Sequence, residues 1–179
     1  MTTFFTGDTH FGHKGILEFS ARPFESIDEH NRALVDAWNS VVQPSDTVWH
    51  LGDFAHRIDA RRKASIFGKL NGSKHLILGN HDDGDTTGLP WASVRQIAEI
   101  SVESQRVVLC HYGLRVWPGI SRGAIQLYGH SHGRLPGTAL SLDVGVDCWN
   151  YCPVSLPMIK ARLALSADVE PENDKGFTI

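Results

Sequence analysis

The chain has no run approaching the ~18 uninterrupted apolar residues of a membrane span, so none of it reads as crossing a bilayer. Nor does its start, Met1-Thr2-Thr3 leading straight into an apolar stretch, carry the pattern of an export signal. A cytoplasmic location is the expectation. Cysteine is scarce: Cys110, Cys148 and Cys152 are an odd number with no C-x-x-C pair, which excludes a disulfide framework and suits a reducing compartment. An excess of one charge is missing too, since 17 Lys plus Arg stand against 20 Asp plus Glu for a formal net charge of -3. That balance excludes a global attraction to nucleic acid or anionic lipid. With no extended basic stripe, it argues against strong non-specific DNA binding. Internal repeats, low-complexity blocks and linkers are absent, so solenoids and multi-domain arrays drop out.

What is present is a chain of 179 residues, 41% hydrophobic and 21% charged, with 17 Gly and 8 Pro. This is the composition of one globular, turn-rich domain large enough for a real core. The domain is expected to span residues 1–165, with the polar stretch 166–179 as a loose tail. Short apolar and β-branched runs read as strands at Thr3–Thr6, Thr47–Leu51, His75–Leu78, Val107–Cys110, Ile125–Tyr128 and Leu140–Val144. Helical spacing of Ile27, Leu34, Val35, Trp38 and Val41/Val42 predicts a helix over 27–42, stopped by Pro44. A second helix is expected from Asp59 to Leu70, ended by Asn71-Gly72, and a third from Ser155 to Leu165 with Pro157 in its first turn. Ile97–Val102 and Arg106–Cys110 are expected to form a hairpin around Ser104-Gln105.

Five of these strands are followed at once by a polar signature: Gly7-Asp8-Thr9-His10, Gly52-Asp53, Gly79-Asn80-His81-Asp82, His111, and Gly129-His130-Ser131-His132. Loops at the carboxyl ends of sheet strands converge over one edge, so five signatures at five strand ends imply one site. Glycine precedes four of them, which suits a backbone that turns sharply on leaving a sheet. Any one signature alone is an ordinary turn or a hydrogen-bonded surface histidine. Jointly, Asp, His, Asp, Asn and three further His form a mixed oxygen and nitrogen set suited to transition metals.

In these five blocks, intact and in order from Phe4 to Asp147, the sequence resembles the calcineurin-like metallophosphoesterase superfamily. Gly7-Asp-Thr-His-Phe-Gly-His13, His50-Leu-Gly-Asp-Phe54 and Val144-Gly-Val-Asp147 are similar to small bacterial and phage members. The resemblance implies an α/β fold: a two-layer β-sandwich flanked by helices. The longest segment between signatures, the 41 residues from Phe11 to Leu51, is largely taken by the first helix, so a single domain without a cap is expected.

The resemblance further implies two divalent metal ions, Mn²⁺ first with Fe, Zn, Co or Ni as alternatives. Asp8, His10 and His132 would hold one ion, Asn80, His111 and His130 the other, and Asp53 would bridge them. A hydroxide shared by the metals would be the nucleophile, His81 would protonate the leaving oxygen, and Asp82 would hold the His81 ring in its useful tautomer. Two ions give +4 and two ligating carboxylates -2, leaving a pocket of about +2 that suits a phosphoester anion.

His13, Arg57, Arg115 and Trp117 are candidates for substrate contact, the last two in the loop 112–123, against the plainer alternatives of surface or packing roles. His30, His50, His56 and His75 read as surface or packing residues, and Arg61, Arg62 and Lys63 as a solvated helix face. The expected substrate is a small phosphoester, nucleotide-derived among the options, with diesters favoured and monoesters also accepted. Two alternatives remain: a metal-binding protein-interaction scaffold with weak turnover, and a nuclease acting on small or single-stranded nucleic acid.

Overall fold

Side-chain alternation along the first strand sets the layers of the molecule. In the computed structural model, which describes residues 1–166, the chain runs through fourteen β-strands and α-helices, besides two short 3₁₀ turns. They are β1 (Thr3–Thr6), α1 (Ile16–Phe19), α2 (Ile27–Val41), β2 (Thr47–His50), α3 (Ala60–Phe67), β3 (Ser73–Ile77), α4 (Gly84–Thr87), β4 (Ser93–Arg95), β5 (Ile97–Val102), β6 (Gln105–Cys110), β7 (Ile125–Tyr128), β8 (Ser141–Asp143), β9 (Val154–Ser155) and α5 (Leu156–Leu165). One sheet has the order β4-β3-β2-β1-β9, parallel except for β9. The other has the order β5-β6-β7-β8, parallel except for β5.

Period two along each strand sends neighbouring side chains to opposite faces. Phe5 and Trp49 therefore enter the core between the sheets, meeting Val107, Leu109, Ile125 and Leu127 of the second sheet. Phe4 and Val48 face the other way, onto Leu34 and Trp38 of α2 and Ile66 and Phe67 of α3. Their register is parallel and in step, Phe4 beside Val48 and Phe5 beside Trp49. The expected two sheets flanked by helices are what the chain forms, and no described helix is long and apolar enough to cross a membrane.

The helix expected over 27–42 forms, its first turn capped by the Ser26 hydroxyl accepting the Glu29 N–H at 3.2 Å. The Asp59 carboxylate caps α3, but that helix stops at Gly68 rather than at Asn71-Gly72. The hairpin forms one residue earlier than expected, with Glu103 and Ser104 both left-handed. Unanticipated elements α1, α4, β4 and β9 are four residues long or shorter, too brief to show a period. The expected tail, from residue 167 on, lies outside the described residues.

Two expectations are corrected by packing. Trp117 is not a substrate wall: it is buried against Val108, Ile120 and Ala124 on the outer face of the second sheet, its indole N–H donating to the Ala124 carbonyl at 2.8 Å. Lys63 does not share the solvated face of its neighbours. It lies on the same side of α3 as Ile66 and Phe67, fully buried, and its ammonium donates to Asp83 Oδ2 at 2.6 Å. Asp83 in turn caps α4, so this pair fastens α3 to the loop after β3.

His50 is also interior. Its Nε2–H donates to the Thr9 hydroxyl at 2.9 Å, which donates onward to the Phe54 carbonyl, while its Nδ1 has no partner. Burial, reinforced by His111, holds this imidazole down at about 3, against an ordinary value of 6.5.

Removing the Trp117 indole should cost about 3–5 kcal/mol of unfolding free energy while leaving metal binding intact, as measured by urea denaturation and metal titration of Trp117→Ala. Acid should weaken the fold through His50. Between about 3 and 6.5 the unfolded chain binds the proton and the folded one does not, so stability complete above 6.5 falls as pH drops through that window. One such group gives a slope of at most ~1.4 kcal/mol per pH unit. Urea midpoints of metal-free His50→Gln should fall less steeply with acid than those of the wild type; equal slopes would count against this account.

Candidate metal centre

The strand exits are tightly folded. Asp8, His10, Asp53, His130 and His132 all have left-handed backbones, with φ of 54°, 48°, 58°, 64° and 49°. Such conformations are uncommon for residues with a side chain and gather at functional sites. The loops brace one another: Asp8 N–H donates to the Gly52 carbonyl, His10 N–H to the Asp53 carbonyl and Gly129 N–H to the His111 carbonyl, at 2.9–3.0 Å. The preceding glycines do not all make the turn, as their place in the sequence implied. At Gly79 a Cβ would sit 2.2 Å from Asp53 Oδ1, and at Gly129 one would sit 2.6 Å from Asp8 Oδ2. Those glycines are needed for the space the carboxylates occupy.

Donor atoms of Asp8, His10 and His132 lie within 4.8 Å of one another, and so do those of Asp53, His111 and His130. The two groups meet at Asp53, whose Oδ2 is 3.5 Å from His10 Nε2 and 3.6 Å from His111 Nε2. Asn80 joins the second group, its Oδ1 3.1 Å from His111 Nε2. All seven residues picked from the sequence as ligands thus converge on one edge of the sandwich.

The hydrogen bonds leave these donors facing each other with lone pairs. His111 Nδ1–H donates to the Leu51 carbonyl at 2.6 Å, which leaves its Nε2 to face the oxygens of Asn80 and Asp53, 3.1 and 3.6 Å away. Asp8 Oδ1 and both ring nitrogens of His10 are buried with no hydrogen-bond partner. Burial, then Asp143 and Asp53, pushes the Asp8 carboxyl well above the usual range, while burial and then Arg22 pushes His10 down. Burial and His111 push His130 down as well. Those two shifts favour the neutral ring at His10 and His130, the form that ligates metals, and buried orphan acceptors are costly unless a cation satisfies them. The chemistry of the donor set fits divalent metal.

A cleft of about 310 Å³ opens over these groups. His13 and Arg57 line it, as expected, and so does His81, whose backbone N–H donates to Asp53 Oδ1 at 2.8 Å. The His81 ring lies edge-on to His10 and His56, with centroids 5.4 and 4.6 Å apart. Burial, followed by His56 and His81, lowers His13 to about 4. Arg115 is exposed and is not among the residues of the cleft, and neither is Trp117. Asp82 does not orient the His81 ring: its carboxylate accepts the backbone N–H groups of Asp53, Phe54 and Gly79 at 2.8–2.9 Å, clamping the turn that presents Asp53. A carboxylate one residue from His81 is better placed to satisfy three main-chain donors than to reach a ring on its own loop.

The sequence reading missed His56, Arg134 and Phe19 in the cleft. His56 had a signal, since it follows Asp53 by three residues as His13 follows His10. Phe19 and Arg134 had none: they meet only because the short α1 is held by Arg134 Nη2 donating to the Phe19 carbonyl at 2.8 Å.

Comparison with known proteins agrees with this architecture. The family description "Calcineurin-like phosphoesterase superfamily domain" matches residues 1–138. An uncharacterized protein of Methanocaldococcus jannaschii is 30% identical over 175 residues, covering 93% of this chain and 94% of its own. A protein of unknown function from Aquifex aeolicus has the same fold, with a TM-score of 0.71 at 21% identity over 90% of this chain and 98% of its own. A structure described as a novel archaeal phosphodiesterase is more distant, with a TM-score of 0.50 at 16% identity over 81% and 82% of the two chains. The chain belongs to the calcineurin-like phosphoesterase superfamily, a family of metal-dependent hydrolases of phosphoric esters.

Proposed function

We propose that the chain is a cytoplasmic, binuclear metallophosphoesterase, its catalytic unit residues 1–165, that cleaves small phosphodiesters and, secondarily, phosphomonoesters. The observation that carries this reading is the placement of Asp53 Oδ2, 3.5 Å from His10 Nε2 and 3.6 Å from His111 Nε2, between two groups of potential metal ligands. Asp8, His10 and His132 would hold one ion, Asn80, His111 and His130 the other, and Asp53 would serve both. Mn²⁺ is the first choice for such a mixed oxygen and imidazole set. The two ions, when bound, would acidify a water and neutralise charge on the phosphoryl group.

The remaining chemistry falls to the chain. His81, anchored through its backbone to the Asp53 carboxylate and facing the cleft, gives a ring proton to the departing oxygen. Asp82 keeps Asp53 in register through the three N–H groups it accepts. Arg57 and His13 meet the phosphate or its ester arm in the cleft. Asn80 and His130 are exposed, so the centre is open at that side and the second arm of a diester has somewhere to go. The similarly folded archaeal phosphodiesterase supports that choice of substrate class.

Chelated protein should have no activity on an activated aryl phosphodiester and should regain it with Mn²⁺, with Mg²⁺ restoring less because it prefers oxygen ligands to imidazole. Full turnover with no metal detectable by elemental analysis would overturn the reading. His81→Ala should keep both metals yet lose ~10²–10⁴-fold in rate, and the loss should shrink as the leaving group becomes more acidic. Equal losses for leaving groups of very different pKa would assign His81 to phosphate positioning instead.

A further inference from the structure

Behind the first donor group lies a cation that the mechanism above does not use. Arg22 follows α1, and its side chain is wholly buried, 0% exposed. All five of its N–H groups find acceptors. Nε–H and one Nη2–H donate to Asp147 Oδ1 and Oδ2, both at 2.8 Å. The other Nη2–H donates to the Asp8 carbonyl at 2.7 Å, and the Nη1–H pair reaches the Thr9 carbonyl at 3.0 Å and His30 Nε2 at 2.8 Å. Asp147 Oδ2 in turn accepts the Nδ1–H of His132 at 2.7 Å, with the Ser20 hydroxyl 3.2 Å from the same nitrogen.

One guanidinium thus ties together the two separate segments of the first donor group. It grips the carbonyls of the left-handed turn carrying Asp8 and His10, and through Asp147 it fixes the ring of His132 by its Nδ1, leaving Nε2 as the ring nitrogen available to ligate. A buried ion pair contributes little net stability, so stability alone does not account for so complete a fork. The second group is backed differently: His111 leans on a neutral carbonyl, that of Leu51. Carboxylate backing orients an imidazole and raises its basicity as a metal ligand.

Resting on the two-metal reading, we propose that Arg22 and Asp147 are positioning residues that set the metal affinity of the Asp8, His10 and His132 group and leave the other group untouched. Lysine cannot replace the arginine, because a single ammonium cannot hold a bidentate carboxylate and two carbonyls in one plane.

Calorimetric titration of chelated full-length protein with Mn²⁺ tests this without reference to turnover. The wild type should show two binding events. Asp147→Asn should weaken one of them by about 10–100-fold and leave the other unchanged, and Arg22→Lys, which keeps the charge, should do the same. Thermal melts with and without excess Mn²⁺ remove the effect of altered folding stability. Lost affinity shrinks the gain in Tm from metal, whereas a merely structural role lowers both melts together and leaves that gain intact. Unchanged affinities and an unchanged Tm gain, or equal weakening of both events, would overturn the proposal. A wild type that binds fewer than two Mn²⁺ would instead overturn the two-metal reading.

Discussion

Electron pairs that face one another need a positive charge between them, and the site is organised around that constraint. Asp53 Oδ2 looks toward the ring nitrogens of His10 and His111, and its Oδ1 is already committed to the His81 backbone N–H at 2.8 Å. Asp8 Oδ1 and the His10 nitrogens are sealed from water without partners. Without a cation, such an arrangement costs the desolvation of several polar groups with no return. The sandwich behind it, with Phe5, Trp49, Leu109 and Leu127 packed between the sheets, supplies stability that offsets this cost.

The same trade is visible in the backbone. Five of the residues assigned as ligands occupy left-handed conformations, each costing of the order of 1–3 kcal/mol, and the loops holding them are tied by main-chain bonds and by side chains recruited from elsewhere. Asp82 accepts three N–H groups around Asp53, and Arg22 donates to the carbonyls of Asp8 and Thr9. Lys63, buried and paired with Asp83, anchors the loop after β3 from the helix side. These three residues maintain the positions of others, so substituting them would disturb the centre without removing any atom that faces substrate.

Which residues assemble the centre was legible from local order. Each strand is a short apolar run, each polar signature begins within a residue or so of its end, and strands of one edge deliver their following loops to one place. Asp8, His10, Asp53, Asn80, His111, His130 and His132 could be picked because chemistry and chain position agree at every one of them. Trp117 and Arg115 misled because a loop between two ligand segments need not face the ligands. The outer face of the second sheet offered Trp117 an apolar surface at Val108, and burial there outweighed any pull toward the cleft.

By itself, then, the sequence indicated most of the strands, the main helices and the cluster of Asp, Asn and His at the strand ends, since apolar runs, helical period and residue type are local properties of the chain. The pairing of the strands into two sheets was implied only by the family resemblance. Tertiary structure alone decided what each loop leans on: that Asp82 serves the backbone rather than His81, that Lys63 is interior, and that Arg22 meets Asp147 across 125 residues of chain. Contacts of that kind depend on where separate loops are placed relative to one another. That placement follows from sheet register and core packing, and no periodicity in the sequence records it.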